Sequence, residues 1–118
     1  MANPNIAGLT YIYGTTNVVS SVSTSGSTVI SSVPSATVYK VESVVAANKT
    51  GSSATITLYV TRSSVNYNIA YQITVPANAT LVIIGKDSFI YMNESDVLTA
   101  VAGTSSAIDI VASYEAIS

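Results

Sequence analysis

The chain has no cysteine, no histidine and no tryptophan, and only 8% of its residues are charged, four basic and six acidic. Each absence closes off a kind of chemistry. Without imidazole, no side chain has an ordinary pKa suited to shuttling protons near neutral pH. Without thiols there is neither a thiolate nucleophile nor a disulfide framework, and no redox compartment can be inferred. A net charge of -2 supplies no basic footprint for nucleic acid and no polybasic patch for anionic lipid. The longest apolar run, from Val75 to Gly85, is broken by Pro76 and Asn78. It falls well short of the roughly 20 residues a membrane helix needs. Neither a nucleic-acid nor a membrane partner is expected.

What fills the chain instead is Ser, Thr, Val, Ile, Ala and Tyr, the vocabulary of a pleated sheet. At 118 residues it is long enough for one core and one domain. The opening Met1-Ala2-Asn3-Pro4-Asn5 lacks the cationic and apolar regions of a signal peptide, so a chain made and soluble in a cytoplasm is expected. Positive mean hydropathy (+0.48) with so few charges favours packing against copies or neighbours, and a homo-oligomer is expected, a trimer among its forms.

Period-two alternation dominates. Ala54, Ile56, Leu58 and Val60 alternate with Thr55, Thr57, Tyr59 and Thr61. Tyr67, Ile69, Tyr71, Ile73 and Val75 do the same, as do Ile108, Ile110, Ala112 and Tyr114. Each run predicts a half-buried antiparallel strand. Val38 to Ala47 is long and apolar with Lys40 and Glu42 on one face, and Leu81 to Ile84 is apolar on both faces. Turn signals fall at 48–52, 63–66, 76–78, 85–87, 93–96 and 103–106, the first two read as hairpin connections. Strands at this spacing predict an all-β chain, an antiparallel β-sandwich of jelly-roll or Ig-like type. Residues 1–36 carry no charge and read either as further strands, Val18–Thr24 and Thr28–Val33, or as a docking arm; residues 37–118 form the sandwich body.

Candidate chemistry is thin. Asp87, Glu94 and Asp96 could suggest a calcium site, but their spacing fits no EF-hand loop, and they read as turn residues, Asp96 bonding local amides. Substituting them is expected to cost only about 0.5–2 kcal/mol. No pair of acids sits in a recognisable glycosidase setting, no Ser-x-x-Lys spacing occurs, and Ile84-Gly85-Lys86 is not a phosphate loop. No catalytic, cofactor-binding or metal-binding residue is assigned, and no enzyme is expected. Tyr11, Tyr13, Tyr59, Tyr67 and Tyr71 would make a contact surface for carbohydrate or protein if exposed; as core or sheet-edge residues they would not.

Several segments also carry a resemblance. The opening MANPNI (1–6), VYKVESVVAAN (38–48), ATITLYV (54–60), ITVPANATLVIIGKDSFIYMNESDVLTA (73–100) and the closing VASYEAIS (111–118) resemble small virion structural proteins of tailed phages, particularly those of marine cyanobacteria. The resemblance covers about the last 80 residues and the opening six. It implies a component of the particle, assembled in a host cytoplasm, whose partners are other virion proteins such as the major capsid, tail or neck protein. It carries over no functional residue. The expectation is a multicopy accessory or decoration protein that docks on the capsid and stabilises it by adhesion. The alternative is a tail or neck fibre, or a receptor-binding module whose loops 48–53 and 63–66 contact host surface glycans.

Overall fold

A computed structural model describes residues 11–118. The opening hexapeptide, Ile6 and Leu9 lie outside the described residues. Nine strands follow in order: β1 (Ile12–Val19), β2 (Ser27–Ile30), β3 (Val38–Asn48), β4 (Ala54–Arg62), β5 (Val65–Val75), β6 (Thr80–Ile84), β7 (Ile90–Met92), β8 (Val97–Ala102) and β9 (Ile108–Ile117). Among the described residues the only helical turn is a single 3-10 turn, Lys86–Ser88.

The strands form two antiparallel sheets. The first has the order β1-β9-β3-β6, with β7 also pairing β3; the second has the order β2-β8-β4-β5. The pairs are nested: first strand with last, second with next to last, and so inward to the β4–β5 hairpin. Nested antiparallel pairing divided over two sheets is the wrapping of a jelly roll. Of the two sandwich types expected from sequence, the strand order selects this one. The Val18–Thr24 and Thr28–Val33 runs do not form a hairpin. β1 adds to β9 in one sheet and β2 to β8 in the other, and residues 20–26 cross between them.

The core lies between the sheets and follows the alternation. Ile56 and Leu58 of β4, Leu98 and Ala100 of β8, and Ile108, Ile110 and Ala112 of β9 are all buried. Val41, Val44 and Ala46 of β3 close it from the first sheet. Burying such aliphatic side chains contributes about 1.5–3 kcal/mol each before conformational entropy is set against it. At the β8–β9 turn, Gly103 donates its N–H to Thr55 O at 2.9 Å, and a β-carbon there would collide with the Thr55 side chain. A larger residue at this turn would have to displace the Thr55 hydroxyl.

β5 departs from the half-buried expectation. The alternation would put Tyr67, Tyr71 and Ile73 inside, yet all three are exposed, and only Val75 is fully buried. The register against β4 slips twice, between Ile56 and Leu58 and again between Leu58 and Tyr59. Each slip is a bulge that turns the following side chains to the other face, so Tyr71, between the two, points outward. Ile73 and Tyr67 stay opposite Ile56 and Val60 on the core-facing side, and their exposure comes from lying on an edge strand. Gln72, at φ 48°, sits at one of them, with its N–H bonded to Thr57 Oγ1.

Connections 48–52 and 63–66 also differ from each other. The first bridges the two sheets; only the second is a hairpin. Its central residues, Ser63 and Ser64, have φ of 53° and 64°. Positive φ at both positions is a type I′ turn, which matches the strand twist but favours Asn-Gly over Ser-Ser. A left-handed conformation costs an ordinary L-residue about 1–2 kcal/mol. The Ser63→Asn/Ser64→Gly variant should therefore gain roughly 1 kcal/mol in a urea melt.

Candidate functional site: the two flanks of the sandwich

A four-stranded sheet leaves two edges, and the two sheets stack their edges into two flanks. β1 lies beside β2 on one flank, and β6 lies beside β5 on the other, with β7 continuing the edge of β6 along β3. The charges avoid these strands. Lys40 and Glu42 lie on β3, Arg62 at the end of β4, and Asp109 and Glu115 on β9; the other five charged side chains are in turns. None lies on β1, β2, β5, β6 or β7. Soluble sheet proteins usually do the reverse, placing Lys, Pro or an inward charge on edge strands to block pairing with another chain.

Exposed large apolar side chains show the opposite bias. Tyr11, Ile12, Tyr13 and Val18 run along the first flank; Val65, Tyr67, Tyr71, Ile73, Val82, Phe89 and Tyr91 run along the second. Val18 is 73% exposed, Tyr71 61% and Val82 60%. Among the described residues, Val111 is the only exposed large apolar side chain on an interior strand. Tyr11 and Tyr13 stack at 5.7 Å, and Phe89 meets Tyr91 edge to face at 5.6 Å with the Lys40 ammonium 4.5 Å from the Phe89 ring centre. Tyr59 stands apart from the exposed tyrosines on the interior strand β4. Sequence patterning marks these residues as strand formers but does not tell which strands become edges. The missing signal is topological, because edges follow from strand order.

The first flank also holds a shallow, open groove of about 430 Å³ between β1 and β2, lined by Thr16, Asn17, Val18, Thr28, Val29 and Ser31. It contains no ionisable side chain. Asn17 ties its walls together, donating to Val29 O at 3.0 Å and accepting from the Tyr114 hydroxyl at 3.4 Å. Such a groove offers hydrogen bonds and shape rather than acid–base chemistry.

The acidic residues singled out from sequence are not brought together. Asp87 is exposed on the 3-10 turn. Glu94 accepts the Ala36 N–H at 2.9 Å, bracing the left-handed residue at φ 55°. Asp96 accepts the Asn93 N–H at 2.8 Å, as expected of a turn residue. It is also buried, at 1% exposure, and paired with Arg62 through Nε at 3.0 Å and Nη2 at 2.6 Å. That ion pair revises the small effect expected at this position. Among the described residues no three His, Cys, Asp or Glu side chains group as metal ligands, and no helix is long and apolar enough to cross a membrane.

Two carboxylates on the outer face of the first sheet have displaced pKa values of opposite sense. Asp109 accepts the Ser21 N–H at 2.7 Å and the Lys49 ammonium at 2.9 Å; the backbone donor first, then the lysine, hold it below the usual carboxylate range. Glu115 is held above its ordinary range, chiefly by a hydrogen bond shared with Glu42, the extra residue of a bulge in β3. The depressed Asp109 stabilises the fold above its unfolded pKa, and that contribution disappears as pH falls through the folded value. Raised Glu115 works the other way, losing stability as pH climbs from its ordinary value through the folded one. Asp109 and Lys49 are both about 40% exposed, so solvent screening keeps the effect small. In urea melts against pH, Asp109→Asn should flatten the loss of stability below about pH 4.

No protein-family model matches the chain, and no curated protein matches it. Among solved structures, the fold is similar to that of a protein of Bacillus endospore appendages, which form "a novel family of disulfide-linked pili". The TM-score is 0.52 and the identity 14%, over 99% of this chain and 95% of that one. At that identity the likeness is one of fold.

Proposed function

We propose that this chain is a structural subunit that works in many copies by adhesion, with no chemistry of its own. The observation that carries the reading is the joint bias of the flanks, charge-free edge strands lined by exposed apolar side chains. An edge strand presents unpaired N–H and C=O groups to any chain that can pair with them. Here nothing repels such a chain, and apolar surface left in water costs roughly 25 cal/mol per Å². The structural neighbour belongs to pili, a repeating assembly, which lends weight to a structural role. The disulfide linkage of those pili is not open to a sequence without cysteine.

The assembly proposed is a tailed-phage virion, where the chain would serve as an accessory or decoration protein docked on the capsid and stabilising its neighbours. The sequence resemblance supports this assignment. Cryo-EM of intact particles carrying the protein tests it: density at copy numbers tied to capsid symmetry is expected, and absence from the head would overturn it. A second reading, a fibre or receptor-binding module, draws on exposed Tyr67 and Tyr71 on the β4–β5 hairpin. It calls for few copies on a tail or neck fibre, and for binding of the isolated protein to host cells.

A further inference from the structure

We infer that copies of this chain join head to tail, the β6–β7 edge of one copy pairing with the β1 edge of the next. The inference rests on the assembly reading above and adds its geometry. Each step across the first sheet, β1 to β9 to β3 to β6, is antiparallel. After four strands the two edges run in opposite directions. A second copy placed alongside in the same orientation therefore brings its β1 antiparallel to β6, and the sheet continues without a change of pattern.

The outer face of the sheet supplies a register. Val18 stands opposite Val111, Val111 opposite Val45, and Val45 opposite Val82. This valine row crosses all four strands and ends at both edges in strongly exposed side chains, Val18 and Val82. Set beside each other, Val82 of one copy and Val18 of the next continue the row across the junction as a cross-strand β-branched pair. Another row runs parallel to it: Gly14 opposite Glu115, Glu115 opposite Lys40, and Lys40 opposite Tyr91. Both rows are anchored on β9, at Val111 and Glu115, so the register that aligns Val82 with Val18 also aligns Tyr91 with Gly14.

Gly14 is otherwise unexplained. Its φ is not left-handed, and a β-carbon added there would meet nothing within 4 Å. A glycine inside a strand weakens it and often marks the close approach of another group. In the head-to-tail register that group is the neighbour's Tyr91 ring, which covers the bare backbone as aromatic side chains do beside glycine in paired strands. The Phe89–Tyr91 edge-to-face contact holds the ring at that edge. A heterologous contact of this kind builds a ring if its rotation closes and a filament if it does not.

Because the native chain has no cysteine, cross-linking is clean. Val18→Cys and Val82→Cys are made singly and together, and sedimentation velocity records the association of each before oxidation. The expected result is a covalent 1:1 dimer when the two single variants are mixed and a ladder of multimers from the double variant. Association with only 18–18 or 82–82 links, or with no 18–82 link, would overturn the head-to-tail arrangement and leave the assembly reading standing. A chain that stays monomeric at all concentrations would likewise overturn the head-to-tail arrangement, while docking on the particle stands or falls by the cryo-EM test. Gly14→Val supplies an independent check, since the added side chain has room in the single chain. It should leave the melting temperature unchanged or higher while weakening association about tenfold, the scale of one aromatic contact. Unchanged association in Gly14→Val and in Tyr91→Ala would overturn the register.

Discussion

Replacing Arg62 with Ala should destabilise the fold by about 3–5 kcal/mol, far more than loss of a half-exposed arginine ordinarily costs. The reason lies in its partner. Asp96 is 1% exposed while the Arg62 side chain is 47% exposed, so removing the arginine strands a buried carboxylate without its counter-charge. Removing the aspartate instead leaves a guanidinium that can turn to water. Asp96→Ala should therefore cost less, about 2–3 kcal/mol, from the lost hydrogen bonds to Arg62 and to the Asn93 N–H. The double variant should be more stable than Arg62→Ala alone, because no isolated buried charge remains. Urea melts of the three variants check the order. The pair links the end of β4 to the turn before β8, which in turn exchanges backbone bonds with the β2–β3 connection at Val33. Its loss should loosen that end of the sandwich first.

Asn48 should show the second large effect. It is buried at the end of β3, where the chain leaves one sheet for the other. Its amide nitrogen donates to Ser52 O at 2.8 Å and Val75 O at 3.0 Å, and its oxygen accepts from the Thr50 N–H at 3.0 Å and the Thr50 hydroxyl at 2.7 Å. One side chain thus closes the 48–52 connection on itself and ties it to the end of β5. Asn48→Ala leaves these groups unsatisfied and should cost about 2–4 kcal/mol. Asn48→Asp is nearly isosteric yet should be at least as damaging, because a carboxylate cannot donate and would face two carbonyl oxygens. A chemical melt in which Asp is tolerated better than Ala would contradict this account of the turn.

These two residues show where sequence reading succeeds and where it stops. The strands of the core were legible because alternation at 54–60 and 108–114 reports a local property, which face of a pleat meets the other sheet. Both runs are buried on the expected side. Turn chemistry at 63–66 and 93–96 was legible for the same reason. Partners distant in sequence were not. Asp96 reads as a turn residue from its neighbours, and nothing near it announces Arg62, thirty-four residues earlier. β5 failed for a related reason: a pair of bulges turns Tyr71 out of phase, and its place at the edge of the sheet leaves Tyr67 and Ile73 uncovered. The flanks were legible in composition alone. Scarcity of charge suggested association, but which strands lacked charge acquired meaning only once the order β1-β9-β3-β6 and β2-β8-β4-β5 made β1, β2, β5 and β6 edges.

The central claim is that the uncharged, apolar flanks exist to be covered by other copies of the chain. Sedimentation velocity of the full chain over a wide concentration range, beside a variant carrying Val18→Lys, Tyr71→Lys and Val82→Lys, tests it most directly. All three positions are exposed, so the variant should fold with an unchanged melting temperature. The account predicts that the native chain sediments as species larger than a monomer as concentration rises, and that the lysine variant remains a monomer. A native chain that is monomeric throughout, or a lysine variant that associates as strongly as the native one, would contradict it.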